Sequence, residues 1–169
     1  MAKESPRYIM RNAALFVNRE NYLGQASEIS FFTLERRMEE VFNAGMEVPI
    51  EVEMGYEIPE HSFKMSGWDP TVMKLFGLAI GAETEIMATA ATVDDDGTTH
   101  SQVAYLRCKI KGVSPDAYSR GDLAEVEYEL AFRYFKFEVD GEPIYEMDPF
   151  GVSIGGVSQT ANIRRALLV

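Results

Sequence analysis

The sequence predicts a mainly β chain, an antiparallel sandwich or barrel carrying two short helices. Three observations lead there. In Leu123–Pro149, LAEVEYELAFRYFKFEVDGEPIYEMDP, apolar Val126, Tyr128, Leu130, Phe132 and Tyr134 take every second position, with Glu127, Glu129 and Arg133 between them, the period of a half-buried strand. Val48–Met54 alternates in the same way, with Val48, Ile50, Val52 and Met54 on one face and Pro49, Glu51 and Glu53 on the other. Two further β-rich runs, Glu85–Val93 and Thr99–Ile110, flank the polar tip Asp94-Asp95-Asp96-Gly97.

Taken in order, the chain opens with an extended N-terminal segment over about residues 1–20, in which Arg11–Asn18 is apolar at its centre. Gly24–Phe32 is β-prone. Thr33–Phe42 continues it as a charged strand, although Leu34, Met38, Val41 and Phe42 also fit a helical spacing, so a helix is the competing reading. Asn43-Ala44-Gly45 breaks the pattern before Val48. Ser62–Ser66 reads as a short strand. Asp69 followed by Pro70 is a helix start, because the carboxylate accepts an orphan amide and proline has no amide to orphan. That helix is expected over Pro70–Phe76, burying Val72, Leu75 and Phe76, with Trp68 anchored in the core beside it.

Ser114-Pro115-Asp116 signals a turn into the Leu123–Pro149 hairpin. Within that hairpin the apolar phase shifts after Tyr134 to Phe135, Phe137 and Val139, which predicts a bulge or a change of packing environment. Asp140 and Gly141 supply the pair favoured in a tight hairpin turn, where both central residues need positive φ. Over about residues 150–169 the expectation is a linker plus helix, with Gly151, Gly155 and Gly156 as the flexible part and Ser158 as the cap.

Length and composition bound the function. At 169 residues the chain suits one well-buried domain. No apolar run has the length of a membrane helix, and no signal-peptide core follows Met1, so neither a membrane partner nor export by that route is expected. The single cysteine, Cys108, excludes an internal disulfide and suits a reducing compartment. A net charge of −11 argues against a protein that grips nucleic acid by its phosphates.

Catalytic constellations are scarce. His61 and His100 lack metal-ligand spacing to one another or to Cys108 and are expected at loops or strand edges. There is no nucleophile elbow, and the C-terminal glycines lack the lysine of a phosphate cradle. The three consecutive aspartates do not alternate as calcium ligands do, and read as a solvated hairpin tip. Cys108, with Arg107 and Lys109 on the opposite face of a strand, is expected to be buried and inert. No catalytic, cofactor-binding or metal residue is therefore expected. The less ordinary feature is a pair of carboxylate rows, Glu51 and Glu53 on one strand and Glu125, Glu127 and Glu129 on another. A solvated face is the simpler reading, yet like charges side by side weaken a sheet.

Three segments give the chain a resemblance to the major tail tube proteins of contractile-tailed bacteriophages and R-type pyocins. They are Leu34–Glu40 leading through Ala44-Gly45-Met46 into Val48–Gly55, Phe63–Gly67 with Phe76-Gly77-Leu78, and Tyr134–Gly141 continuing to Tyr145–Asp148 and Ala161–Arg165. Ala44 stands where the family has the first glycine of its turn. The resemblance implies a barrel-like subunit without catalysis or cofactor, forming hexameric rings that stack inside a sheath, with DNA in transit through the lumen. It implies contacts with tail sheath, tape measure and baseplate proteins, in a virion tail assembled in the host cytoplasm. Under it, Glu51, Glu53, Glu127 and Glu129 become candidates for the lumen wall, and Ala44, Gly45 and Met46 for a ring-stacking turn. The alternative, for which the acidic faces are plain surface, is a monomeric or dimeric β-sandwich binding module.

Overall fold

Two long strands organise the protein, whose computed structural model describes residues 8–77, 79–117 and 119–168. In chain order the elements are β1 (Ile9–Val17), β2 (Glu20–Asn21), β3 (Ala26–Thr33), β4 (Arg36–Val41), β5 (Ile50–Tyr56) and β6 (Glu60–Ser66). Helix α1 (Pro70–Met73) runs into a 3-10 turn at Lys74–Gly77. Then come β7 (Thr84–Val93), β8 (Thr99–Pro115), β9 (Glu125–Val139), β10 (Glu142–Asp148), β11 (Gly151–Ile154), β12 (Val157–Ser158) and helix α2 (Ala161–Ala166). β8 has 17 residues and β9 has 15, against about 5–6 for an ordinary strand.

That length lets both strands serve two layers. The outer layer runs β12-β11-β10-β9-β8-β7-β1-β2, all antiparallel, using the first half of β8 and the second half of β9. The inner layer is β3-β6-β9-β8, built on the other halves: β6 pairs with Glu125–Leu130 of β9, whose opposite side faces Ile110–Pro115 of β8. The register slips twice between β8 and β9, leaving Arg133 and Lys111 as extra residues. Bulges increase local twist and bend a strand, so these two turn the corner between layers. The slip at Arg133 lies beside Tyr134, where the apolar phase of the sequence changes.

Between the layers lies the core. Leu15, Phe63, Met65, Val126, Tyr128 and Phe135 have almost no exposed surface. Phe63 and Tyr128 stack with centroids 4.8 Å apart, and Phe32 of β3 meets Phe135, Phe137 and Tyr145 from the opposite layer. Val72 from α1 is fully buried and joins this core. Asp69 caps that helix through its carboxylate, which accepts from the Thr71 amide at 2.7 Å.

Several expectations are corrected. Thr33–Phe42 is not one strand or a helix: it divides into β3 and β4 around Leu34-Glu35. The first helix stops at Met73, Phe76 is 55% exposed and Trp68 is 54% exposed, so neither aromatic is a core anchor. The strand predicted over Thr99–Ile110 runs on to Pro115, through the first two residues of the expected Ser114-Pro115-Asp116 turn, and Asp116 donates its amide to the Glu125 carbonyl at 2.9 Å. Gly151 begins β11, and Gly155 and Gly156, at φ 58° and 75°, form the tight turn to β12, so these glycines build a small hairpin and not a linker. Ser158 sits in β12, and the residue ahead of α2 is Thr160. His61 is neither in a loop nor at an edge: β6 lies between β3 and β9, and the ring is 4% exposed.

Candidate functional site

The inner layer has one face in the core and one face turned away from it, and strand alternation sorts the side chains between them. On β6, His61, Phe63 and Met65 point inward, while Glu60, Ser62, Lys64 and Ser66 line the other face. Cross-strand register completes rows on that polar face. Glu28 on β3 lies beside Lys64, Lys64 beside Glu127 and Glu127 beside Ser114; in the next row Ser30, Ser62, Glu129 and Gly112 follow one another. Lys64 donates to Glu28 at 2.8 Å, and the Lys111 ammonium, brought round by its bulge, is 3.7 Å from the Glu129 carboxylate. Gly112 leaves room for Glu129, whose Oε2 would stand 3.4 Å from any Cβ added there.

This arrangement makes a carboxylate-rich surface, with Glu28, Glu60, Glu125, Glu127 and Glu129 against Lys64 and Lys111, bordering a shallow polar depression. The rows of carboxylates read from sequence are therefore split. Glu127 and Glu129 belong to this face, while Glu51 and Glu53 do not, because β4 and β5 form a separate two-stranded sheet. The sequence argument missed Glu28, Lys64 and Lys111. The alternation of Ser62, Lys64 and Ser66 with Phe63 and Met65 was the available signal for Lys64, whereas the bulge that brings Lys111 round has no sequence signature.

The β4–β5 hairpin has no core of its own. Met38, Phe42, Val48, Ile50, Val52 and Met54 are all exposed, Phe42 and Val48 by 64% and 70%. Its charges do not offset this: Arg36 donates to Glu53 at 2.9 Å, but Glu40 stands directly opposite Glu51. At its tip, Ala44 and Gly45 form a turn in which the Met46 amide donates to the Asn43 carbonyl at 3.1 Å, and Gly45 has φ 90°. Nothing lies within 4 Å of a Cβ built at Gly45, so conformation alone reserves that position for glycine. Asp140 and Gly141 join β9 to β10 at φ 51° and 81°.

Neither the cysteine nor the buried histidine is poised for chemistry. Cys108 is fully buried, donates weakly to the Thr84 carbonyl at 3.6 Å, and has its thiol pushed up to about 12 by burial, with Glu83 adding to the shift. His61 is lowered by burial, an effect opposed by its contact with the Phe31 carbonyl. Among the described residues no group of three or more histidines, cysteines and carboxylates is placed to hold a metal ion.

Residues 6–167 match the family described as phage tail tube protein FII. The chain belongs to that family. It is thus a structural tail tube protein and not an enzyme. Over 157 residues it is 24% identical to the tail tube protein of Escherichia phage P2, covering 89% of this chain and 91% of that one. Among solved structures, a chain of the sheath/tube terminator of the PVC extracellular contractile injection system superposes with a TM-score of 0.57 at 10% identity, covering 80% of this chain and 97% of that one. A chain of the anti-feeding prophage baseplate, solved with six-fold symmetrisation, gives 0.55 at 8% identity, covering 82% and 97%. At such identities the likeness is one of fold. The tail tube chain thus shares a mainly antiparallel β architecture with subunits of injection machines.

Proposed function

We propose that six copies of this tail tube protein close into a ring, that rings stack into the inner tube of a contractile tail, and that the acidic face of the inner layer lines the DNA conduit. The observation that carries this reading is the pair of open edges on the inner layer. Among the described residues β3 has β6 on one side and no strand on the other, and β8 loses its β7 partner beyond Cys108. Open edges are templates for pairing, and joining β3 of one copy to β8 of the next around a ring removes both open edges of the inner layer at once. The closed barrel would then turn Glu127 and Glu129 toward its axis. Duplex DNA carries about one negative charge per ~1.7 Å, so an acidic wall repels it weakly and lets it slide. Screening limits that repulsion to roughly 8 Å at physiological salt.

Glu51 and Glu53 ride on the hairpin, so their place on the lumen wall depends on where a neighbouring ring holds β4 and β5. The exposed apolar face of that hairpin supports a stacking role for Ala44, Gly45 and Met46. Fold relatives from sheath–tube and baseplate assemblies support sheath and baseplate as partners. Assembly in the host cytoplasm is in keeping with the free Cys108.

Electron microscopy of the purified full chain tests the reading: six-fold rings or tubes are expected, with β3 and β8 of adjacent copies paired in the reconstruction. A chain that stays monomeric at high concentration by light scattering, with no rings or tubes in the micrographs, overturns the β3–β8 ring closure proposed here.

A further inference from the structure

At one end of the outer layer, three chain segments meet on a single imidazole. His100 lies near the start of β8, its ring 17% exposed. Its Nδ1 is 2.6 Å from Asp140 Oδ2 in the β9–β10 turn, and its Nε2 is 3.3 Å from Asp94 Oδ2 in the β7–β8 turn. Each carboxylate has a second task. Asp140 Oδ1 accepts from the Ser101 amide at 2.8 Å, and Asp94 Oδ1 accepts from the Tyr8 amide at 3.2 Å, immediately ahead of β1. The Tyr8 ring packs on His100 with centroids 4.8 Å apart. Asp96, whose carboxylate accepts from the Thr98 amide, also acts on His100 through its charge. The group thus faces Asp94 and Asp96 from one turn, Asp140 from another and the Tyr8 ring from the N-terminal segment.

We propose that His100 is a protonation-dependent staple: charged, it holds both turns and the start of β1 together; neutral, it lets go of Asp94 and with it of Tyr8. The chemistry of the ring dictates which arm opens. A charged imidazolium donates from both nitrogens, whereas the neutral ring has one N–H and one lone pair. Asp140, the closer partner, keeps the proton on Nδ1, so Nε2 turns a lone pair toward the Asp94 carboxylate. That contact changes from attractive to repulsive. The hydrogen bonds to Asp140 and Asp94 raise the His100 pKa above its ordinary value, and Asp140 is correspondingly lowered. A histidine raised in the folded state stabilises it fully below its unfolded value of ~6.5, and that contribution is lost as pH rises through the higher folded value.

Hydrogen exchange by mass spectrometry on the full chain, in whatever assembly state it adopts, tests the staple. Protection of the peptide spanning Tyr8–Val17, corrected for intrinsic pH dependence, is followed from pH 5 to 9. The wild type should lose protection in this segment through one midpoint above ~6.5, by roughly tenfold for each unit that the folded pKa exceeds the unfolded one. His100→Gln should show no midpoint. Asp94→Ala, which removes the acceptor for both the His100 ring and the Tyr8 amide and keeps the Asp140 arm, should leave the segment weakly protected at every pH. A wild-type profile without a midpoint, or the same midpoint retained in His100→Gln or in Asp94→Ala, overturns the proposal.

Discussion

β5 and the first half of β9 carry nearly the same message in sequence, apolar residues alternating with glutamates, and fold into opposite situations. On β9 the apolar set, Val126, Tyr128 and Leu130, is buried against the outer layer, and the glutamates border open surface. On β5 the apolar set, Ile50, Val52 and Met54, is as exposed as Glu51 and Glu53. Alternation states that a strand has an apolar side. It does not state whether the cover for that side comes from the same chain. A lone two-stranded hairpin is marginal in water, and among the described residues nothing covers the apolar side of β4–β5; the proposed stacking of rings would supply that cover.

The sharpest way to break this comparison is to truncate one apolar residue on each side. Phe63→Ala, removing the ring that stacks on Tyr128, should cost about 3–5 kcal/mol in urea unfolding of the subunit. Ile50→Ala should shift subunit stability by about 0.5 kcal/mol or less, since it already faces solvent, while reducing tube formation seen by microscopy. Equal losses in subunit stability would mean that the hairpin packs on its own body.

The two turns give a second, smaller contrast. Gly141 and Gly45 both have positive φ and open space around them. Valine at Gly141 should store about 1–3 kcal/mol of backbone strain in a hairpin tied to the core, lowering Tm by several degrees. At Gly45 the same strain falls on a hairpin that can loosen alone, so Gly45→Val should keep the wild-type Tm and polymerise poorly. Unimpaired polymerisation would remove the tip from the stacking contact.

Acid titration distinguishes the core of the inner layer from its surface more gently. His61 is held neutral by burial against Phe132 and Phe135, with a folded pKa below its ordinary value. The unfolded chain therefore binds the extra proton first, and stability should fall as pH drops below ~6.5 toward the folded value. His61→Phe should flatten that limb relative to wild type; an unchanged difference across the window would show that His61 charges without penalty. The smallest effect on folding is expected from Glu127 and Glu129. Replacing both by lysine should move subunit stability by about 0.5 kcal/mol, while tubes of the variant retain DNA in a salt-dependent way that wild-type tubes do not. Tubes of the double variant that release DNA at low salt as the wild type does would place these residues away from the conduit or make wall charge irrelevant.

Much of the architecture is written locally. The long hairpin, its phase change, its Asp140-Gly141 turn and the Asp69 cap each follow from residues adjacent in the chain, because strand period and turn chemistry are short-range properties. What was hidden depends on remote partners. Trp68 and Phe76 look like core residues, but both are more than half exposed among the described residues. Gly155-Gly156 resembles a linker unless the strands on either side are known to pair. The polar face was half legible for the same reason: Glu127 and Glu129 announce themselves by alternation, whereas Lys64, Glu28 and Lys111 join them only through cross-strand register and a bulge.

The sharing of β8 and β9 between both layers has a mechanical side. Their mutual ladder runs from Gln102 to Pro115 on one strand and from Val126 to Val139 on the other. Hydrogen bonds in such a ladder lie across the strands, so a pull along the strand axis loads many of them in shear together, whereas a pull across it opens them one after another. Inner and outer layers cannot slide past each other without breaking this common rung system. A subunit built this way resists axial thrust as one piece and is weakest to peeling at its short margins, β2 and β12.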